Sequence, residues 1–341
     1  MDPHAQEQHS QFRRDPYRGE WVIMAPGRAA RPQPADSPPL LDAKEAGPFA
    51  AGNESMTPRE VFALRPPGGK SNDSSWRVRA FPNLYPALRV EDAALGTPEG
   101  PSDRMGGLGA HEVIVEDPDR TADLSTLEAS RVFEVLCAWR ARLADLRRDG
   151  RLACGVLFKN RGGAAGATVL HPHSQLLALP FIPPSFTAEL DAVARYRAAH
   201  GRCPLCDVLR HERALGERLV VEGPGACVVA PFASRVPYEL VAAPLQHRPA
   251  LEDTEDAVLH EVAGVLREGL RRLDAKLGKP AYHLWLRTAP WRGRDSVELG
   301  TFHWHITVAP VTSRVGAFEG GAGLRINTVL PEEAAATLRE R

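Results

Sequence analysis

The chain has 341 residues, enough for two domains or one large one, and 43% of them are hydrophobic, so a substantial core is affordable. Its 42 Lys+Arg nearly balance 43 Asp+Glu, which argues against binding driven by a basic field, as on bulk nucleic acid or an anionic membrane. No stretch approaches the roughly 18 uninterrupted apolar residues of a membrane span, and the polar start MDPHAQEQHSQFRRDP lacks the apolar segment of a signal peptide.

In chain order, residues 1–20 read as a flexible N-terminal arm, and the proline-rich stretch over 30–60 as irregular. HEVIVED (111–117) alternates like a strand and opens on His111. A helix is expected from Ser125 to about Arg148. Ser125 and Glu128 suit a capping box, Leu127, Val132, Leu136, Trp139 and Leu143 form an apolar stripe, and Gly150 closes it. ACGVLFKN (153–160) reads as a strand. The Gly/Ala-rich FKNRGGAAGATV (158–169) follows, then VLHPHSQLLALP (169–180). If this last segment is extended, His171, His173 and Gln175 share one face.

The same plan recurs downstream. YELVAAPLQH (238–247) is a strand ending in His247. A helix near 254–278 carries Leu259, Val262, Leu266, Leu270, Leu273 and Leu277. AYHLWLRT and TFHWHITVAP (301–310) complete the unit. By this repeat His303 corresponds to His171, His247 to His111, and CPLC (203–206) to GPFA (47–50). The expected fold is α+β: two tandem strand–helix–strand units, an antiparallel sheet with helices packed on it, and a pseudo-twofold axis through a continuous sheet.

Five cysteines, an odd number, fit a reducing cytoplasm better than a disulfide scaffold. Only Cys203 and Cys206 are close, and a two-residue gap lets both thiolates reach one tetrahedral ion. The repeat nominates His247 and His303 as the other ligands. Cys2His2 is a closed set, so one structural zinc per chain is expected; a redox dithiol and plain packing are the alternatives. The first half has Gly47 and Ala50 at the matching places, so His111 and His171 are expected to make hydrogen bonds rather than hold a second ion.

The first histidine pair admits a metal site, a nucleophile, or packing. Three polar side chains on one face of an apolar strand require partners or a ligand, and a glycine-rich loop lets backbone N–H groups approach an anion. Together they favour attack by histidine on phosphorus, with Gln175 donating to a phosphate oxygen. In FHWHI, threonine stands where glutamine stood and no glycine-rich loop precedes it. His303 therefore reads as structural and His305 as supporting.

These segments resemble the galactose-1-phosphate uridylyltransferase family of the histidine-triad superfamily. The resemblance runs from about Phe12 to the C-terminus and is carried by RRDPYRGEWVIMAPGRAARP (13–32), GPFAAGNESMTPREV (47–61), VRAFPNLYPAL (78–88), GAHEVIVED (109–117), FKNRGGAAGATVLHPHSQ (158–175), PFASRVPYEL (231–240) and FHWHI (302–306). It implies histidine-triad-like halves over 21–182, with the nucleophile, and 183–341, with the zinc site. It implies that His173 carries the nucleoside monophosphate and Gln175 holds the phosphate oxygens. Asn160 and Thr168 would line the nucleotide phosphate site, and Arg28 and Arg31 would face the pyrophosphate. Asn83 would read the base, and Phe318 with Glu319 would hold the sugar.

The implied reaction is ping-pong transfer of UMP from UDP-glucose to galactose 1-phosphate in a cytoplasmic homodimer, with a nucleotide sugar and a sugar 1-phosphate as partners. The chain departs from the family at Gly47 and Ala50, where a cysteine pair is replaced. It departs again at Asn83-Leu84, where several members have Asn-Asp. HPHSQLLALP and NLYPAL also resemble relatives that act on ADP-glucose with inorganic phosphate and carry AMP on the same histidine. A nucleotide-binding protein without turnover is the reading from another class.

Overall fold

The computed structural model describes residues 11–24, 47–93, 96–312 and 316–340. Strands β1 (Gln11–Arg14) and β2 (Trp21–Met24) open the chain. Then come β3 (Phe62–Leu64), β4 (Val78–Pro82), a small hairpin of β5 (Gly96–Glu99) and β6 (Ser102–Met105), β7 (Ala110–Val115), helix α1 (Ala129–Leu146), β8 (Cys154–Arg161) and β9 (His173–Leu179). Helices α2 (Pro184–His200) and α3 (Pro204–Leu215) lead into β10 (Leu219–Glu222), β11 (Ala226–Val229), β12 (Leu240–Pro244), α4 (Asp256–Leu277) and β13 (Tyr282–Arg287). The chain ends with α5 (Ser296–Thr301), β14 (His305–Pro310), α6 (Ala317–Ala322), β15 (Arg325–Asn327) and α7 (Pro331–Arg339).

Ten strands form one sheet in the order β10-β11-β12-β14-β13-β8-β9-β7-β4-β3. Read inward from either edge, the order is the same plan twice: two outer strands, the strand before the long helix, the His-x-His strand, and the strand after the long helix. The expected duplication and continuous antiparallel sheet are therefore present. The halves join where β8 pairs antiparallel with β13, placing Phe158 opposite Trp285 and Asn160 opposite His283.

Alternation along the strands divides the sheet into two faces. Leu157, Leu176, Ala178, Leu284 and Ile306 point to the helices. There they pack on the stripes of α1 (Val132, Leu136, Trp139, Leu143) and α4 (Leu259, Leu266, Leu270, Leu273). Arg142 on α1 makes a buried bidentate pair with Glu112 on β7, at 2.7 and 2.8 Å, which fixes the helix against its strand. The opposite face carries Phe158, Asn160, His173, Gln175, His283, Trp285 and His305.

Several local expectations need correction. Helix α1 starts at Ala129, capped by Glu128 without a side-chain bond. The Ser125 hydroxyl instead donates to Asp274 on α4 at 2.6 Å, so a tertiary bond replaced the capping box. The helix stops at Leu146, before Gly150. Residues 11–20, expected within a flexible arm, are structured. β1 pairs with β2, which also takes β15 in parallel. Buried Arg18 holds Asp15 and Glu239, each at 2.8 Å.

Candidate active site and metal centre

His173 opens β9 and is 8% exposed. Its Nδ1–H donates to the carbonyl oxygen of His171 at 2.8 Å. That bond fixes the tautomer and leaves the lone pair on Nε2. Burial pushes the imidazole down to about 4, so the ring is neutral at pH 7. Phe49 meets His173 edge to face, with centroids 5.2 Å apart, and also contacts Phe81 and His171. Behind the strand, Trp139 Nε1–H donates to Ser174 Oγ at 2.8 Å, which locks the next residue of β9 to the core.

Gln175 lies two residues along the same face. Its Oε1 is 2.8 Å from His111 Nε2, while Ala87 N–H donates to His111 Nδ1 at 3.1 Å. Nδ1 is thus an acceptor and Nε2–H a donor. The Gln175 carbonyl takes that proton, so its amine is the end left for an anion. Asn83 sits just past β4. Its Nδ2 is 3.2 Å from the same His111 nitrogen, which has no lone pair to offer, so this amine too is left for a ligand. Its Oδ1 accepts from Tyr85 N–H at 2.9 Å.

Asn160 is the last but one residue of β8, and its Oδ1 accepts from His283 Nδ1–H at 3.0 Å. The loop between β8 and β9 turns on Gly162 and Gly166, both at φ 81°, around a 3-10 turn over Gly163–Ala165. A side chain on Gly162 would strain that backbone and bring a Cβ to 3.1 Å from the Cβ of Ala281. Thr168 is exposed on the same loop. His173, Gln175, Asn160 and Asn83 thus gather around β9, β8 and the end of β4.

Phe318 and Glu319 lie elsewhere, on α6 beside the small sheet. The Phe318 ring is 51% exposed. The Glu319 carboxylate caps its own helix at Gly316 N–H (2.8 Å) and accepts from Ile326 N–H on β15 (3.2 Å). Arg28 and Arg31 lie outside the described residues.

Cys203, Cys206, His247 and His303 form the one cluster of three or more possible metal ligands among the described residues, and their ligand atoms lie within 4.8 Å of one another. Cys206 Sγ is 3.5 Å from His247 Nδ1 and 3.3 Å from His303 Nδ1. Tetrahedral zinc with such ligands implies edges of roughly 3.5 Å, so the set fits. His247 Nε2–H donates to Gly300 O at 2.9 Å, which turns its Nδ1 lone pair into the cluster. Hydrogen bonds from Cys206, His247 and His303 hold the Cys203 thiol well below its usual range, whereas Cys206 is raised by its bond to Cys203 and by burial. A cation between them would stabilise both as thiolates. The CPLC segment opens α3, with Cys203 at the cap.

Among the described residues, the first half presents no comparable ligand set. Gly47 and Ala50 offer no ligand, and both His111 nitrogens are engaged. His171 donates from Nε2 to Asp117 O at 2.7 Å, leaving only a buried Nδ1 without a hydrogen-bond partner. The equivalence of His111 with His247 is corrected by the strand register. His111 pairs with Leu177, at the end of β7 far from His173, which pairs with Val115. His247 follows the opposite end of β12, beyond the rung where Ala242 meets Ile306. The matching place after β7 holds Asp117–Arg120.

His305 repeats the tautomer bond of His173, with Nδ1–H donating to His303 O at 3.0 Å. Its Nε2, however, faces Glu189 at 3.6 Å, Tyr17 lies edge-on at 5.3 Å, and the residue is 1% exposed. That closed environment leaves no approach for a substrate, in keeping with a supporting role. His111 makes hydrogen bonds, as expected from the sequence, whereas His283 and Phe49 were not foreseen as partners of site residues. The signal available for His283 was its place on the polar side of an alternating strand.

The sequence model described as the galactose-1-phosphate uridyl transferase N-terminal domain matches residues 1–183. An ADP-glucose phosphorylase from Arabidopsis thaliana is 32% identical over 341 residues, covering 98% of this chain and 94% of that protein. The chain belongs to the galactose-1-phosphate uridylyltransferase family. Nucleotidyl transfer is the class of reaction that membership carries. A galactose-1-phosphate uridylyltransferase from Thermotoga maritima is 27% identical, covering 97% of this chain and 98% of that protein. Among solved structures, the A. thaliana ADP-glucose phosphorylase with bound ADP-glucose superposes with a TM-score of 0.83 at 29% identity, covering 98% and 99% of the two chains. A uridylyltransferase structure gives 0.74 at 26% identity, covering 97% of each. No helix among the described residues is long and apolar enough to cross a membrane.

Proposed function

We propose that the chain moves a nucleoside monophosphate from a nucleotide sugar to a phosphate-bearing acceptor through a covalent bond to Nε2 of His173. The carrying observation is the 2.8 Å bond from His173 Nδ1 to His171 O, which leaves Nε2 bare in a neutral ring. The Nε2 lone pair attacks the α-phosphorus. The bond from phosphorus to the bridging oxygen breaks, and sugar 1-phosphate leaves with the electron pair. Nδ1 keeps its proton, and the His171 carbonyl stabilises the positive charge that the ring gains. A phosphate oxygen of the acceptor then attacks phosphorus and returns the lone pair to Nε2.

The amines of Gln175 and Asn160 donate to the phosphate oxygens, with the Thr168 hydroxyl and the glycine-rich backbone beside them. Arg28 and Arg31 neutralise the diphosphate, and Asn83 contacts the base. Phe318 and Glu319 hold the sugar in a homodimer whose sites are shared between subunits. Residues 21–182 carry the nucleophile. Residues 183–341 carry one structural zinc on Cys203, Cys206, His247 and His303, which ties α3 to the segments flanking β12 and β14. The five unpaired cysteines support a cytoplasmic setting.

The reaction proposed first is that of a UDP-glucose:hexose-1-phosphate uridylyltransferase, as in relatives such as the T. maritima protein. A second reading, adenylyl transfer from ADP-glucose to inorganic phosphate, is favoured by Leu84, which places an apolar side chain where a carboxylate would accept from uracil. Similarity to the A. thaliana ADP-glucose phosphorylase supports it too. The test is intact-protein mass after brief exposure to UDP-glucose or to ADP-glucose and an alkaline quench, which preserves phosphoramidates. A gain of UMP with UDP-glucose alone supports the first reading; a gain of AMP with ADP-glucose alone overturns it for the second. No gain with either refutes covalent transfer from these sugars.

A further inference from the structure

We propose that His283, on the second half, is a positioning residue that aims the Asn160 amide at the transferred phosphate. The inference rests on the reaction proposed above and adds a residue to it.

Strand β13 pairs with β8 across the junction of the two halves, and its register sets His283 opposite Asn160. The two side chains therefore rise on the same face, Asn160 one strand and His283 two strands away from His173 on β9. That face is the one that bears Gln175, because Phe158 pairs with Gln175 and Asn160 follows Phe158 by two. The 3.0 Å contact joins His283 Nδ1 to Asn160 Oδ1. An amide oxygen only accepts, so Nδ1 carries the proton. Burial lowers the pKa of His283, which keeps the ring neutral and its tautomer set by this bond. With Oδ1 committed, the amide cannot turn over, and its amine is the end presented to an anion. Gln175 is held in the same manner by His111. Each of the two amides flanking His173 is thus oriented by an imidazole, one from the first half and one from the second. The second half accordingly contributes to the phosphate site through its sheet as well as through the metal cluster.

The test compares wild type, His283→Phe, His283→Asn and Asn160→Ala, and the double variant His283→Phe/Asn160→Ala. The readout is the single-turnover rate of nucleotide adduct formation with the nucleotide sugar that labels wild type, with metal content and thermal melting alongside. Phe should fit the half-buried position but cannot donate, and adduct formation should slow by about ten- to hundredfold. Asn offers an amide N–H near the place of Nδ1 and should restore most of the rate. In the Asn160→Ala background, His283→Phe should cost little more, because its effect passes through Asn160. Unchanged rates in a folded His283→Phe protein, or an equal loss in both backgrounds, would overturn the inference while leaving the reaction standing. Failure of wild type to form any adduct would instead remove the reaction, and the inference with it.

Discussion

Lowering the pH should leave nucleotide transfer to His173 nearly unchanged over a range in which an ordinary histidine nucleophile loses most of its activity. An unperturbed imidazole titrates near 6.5, so at pH 5.5 about nine-tenths of it is protonated and its rate falls about tenfold. His173 is pushed down to about 4 by burial beneath Phe49 and against the sheet, so only a few percent carries the second proton at that pH. The assay is rapid-quench adduct formation at saturating nucleotide sugar from pH 4.5 to 8, where the diphosphate does not titrate. A flat profile that falls only towards pH 4 is expected; a single-proton decline centred near 6.5 would refute the argument from burial. The same shift sets a stability window. The folded-state value lies below the unfolded one, so between pH 6.5 and about 4 the unfolded chain binds a proton that the folded chain refuses. Stability therefore falls as pH is lowered through that window, by about 3 kcal/mol at its end from this group alone.

Other outcomes follow from the same geometry. Phe49→Ala should admit water to the His173 ring, raise the midpoint of that pH profile towards 6.5, and slow transfer at pH 5.5 more than at pH 7.5. His111→Phe removes the proton held by Gln175 Oε1, frees the amide to flip, and should lower kcat for transfer by about ten- to hundredfold in steady-state assays. Cys203→Ser should abolish a metal content of about one zinc per chain by elemental analysis and lower the melting temperature. A content near two would contradict the reading that Gly47 and Ala50 leave His111 and His171 without a second ion.

Much of the architecture was legible because burial imprints a period. The Val132–Leu136–Trp139–Leu143 and Leu259–Leu266–Leu270 stripes and the alternation in HEVIVED gave the repeat, and the repeat gave the continuous sheet. Helix ends were less legible. Ser125 has the chemistry of a cap but bonds Asp274 on another helix, a contact that local sequence does not encode. Helix α5 was missed although Asp295 caps it through Val297 N–H and Glu298 N–H, because six residues are too few to show a period. The spacing of CPLC is itself the signal for Cys203 and Cys206, and matching the halves reaches His303 from His171, whereas His247 is reached only through a pairing with His111 that the register does not support. Matching failed for His111, where register and not residue type decides which strand end a histidine occupies. The His283–Asn160 bond joins residues 123 apart across the two halves. No periodicity reports such a pairing before the strand order is known.

The proposed reaction stands or falls on a bond between phosphorus and Nε2 of His173. The direct measurement is peptide mapping of protein labelled by the nucleotide sugar, digested and separated under alkaline conditions, for wild type and His173→Gly side by side. One nucleoside monophosphate is expected on the peptide containing His173, and none on the variant, which should keep its fold and metal content. A label on any other residue, or sustained transfer by His173→Gly, would contradict it.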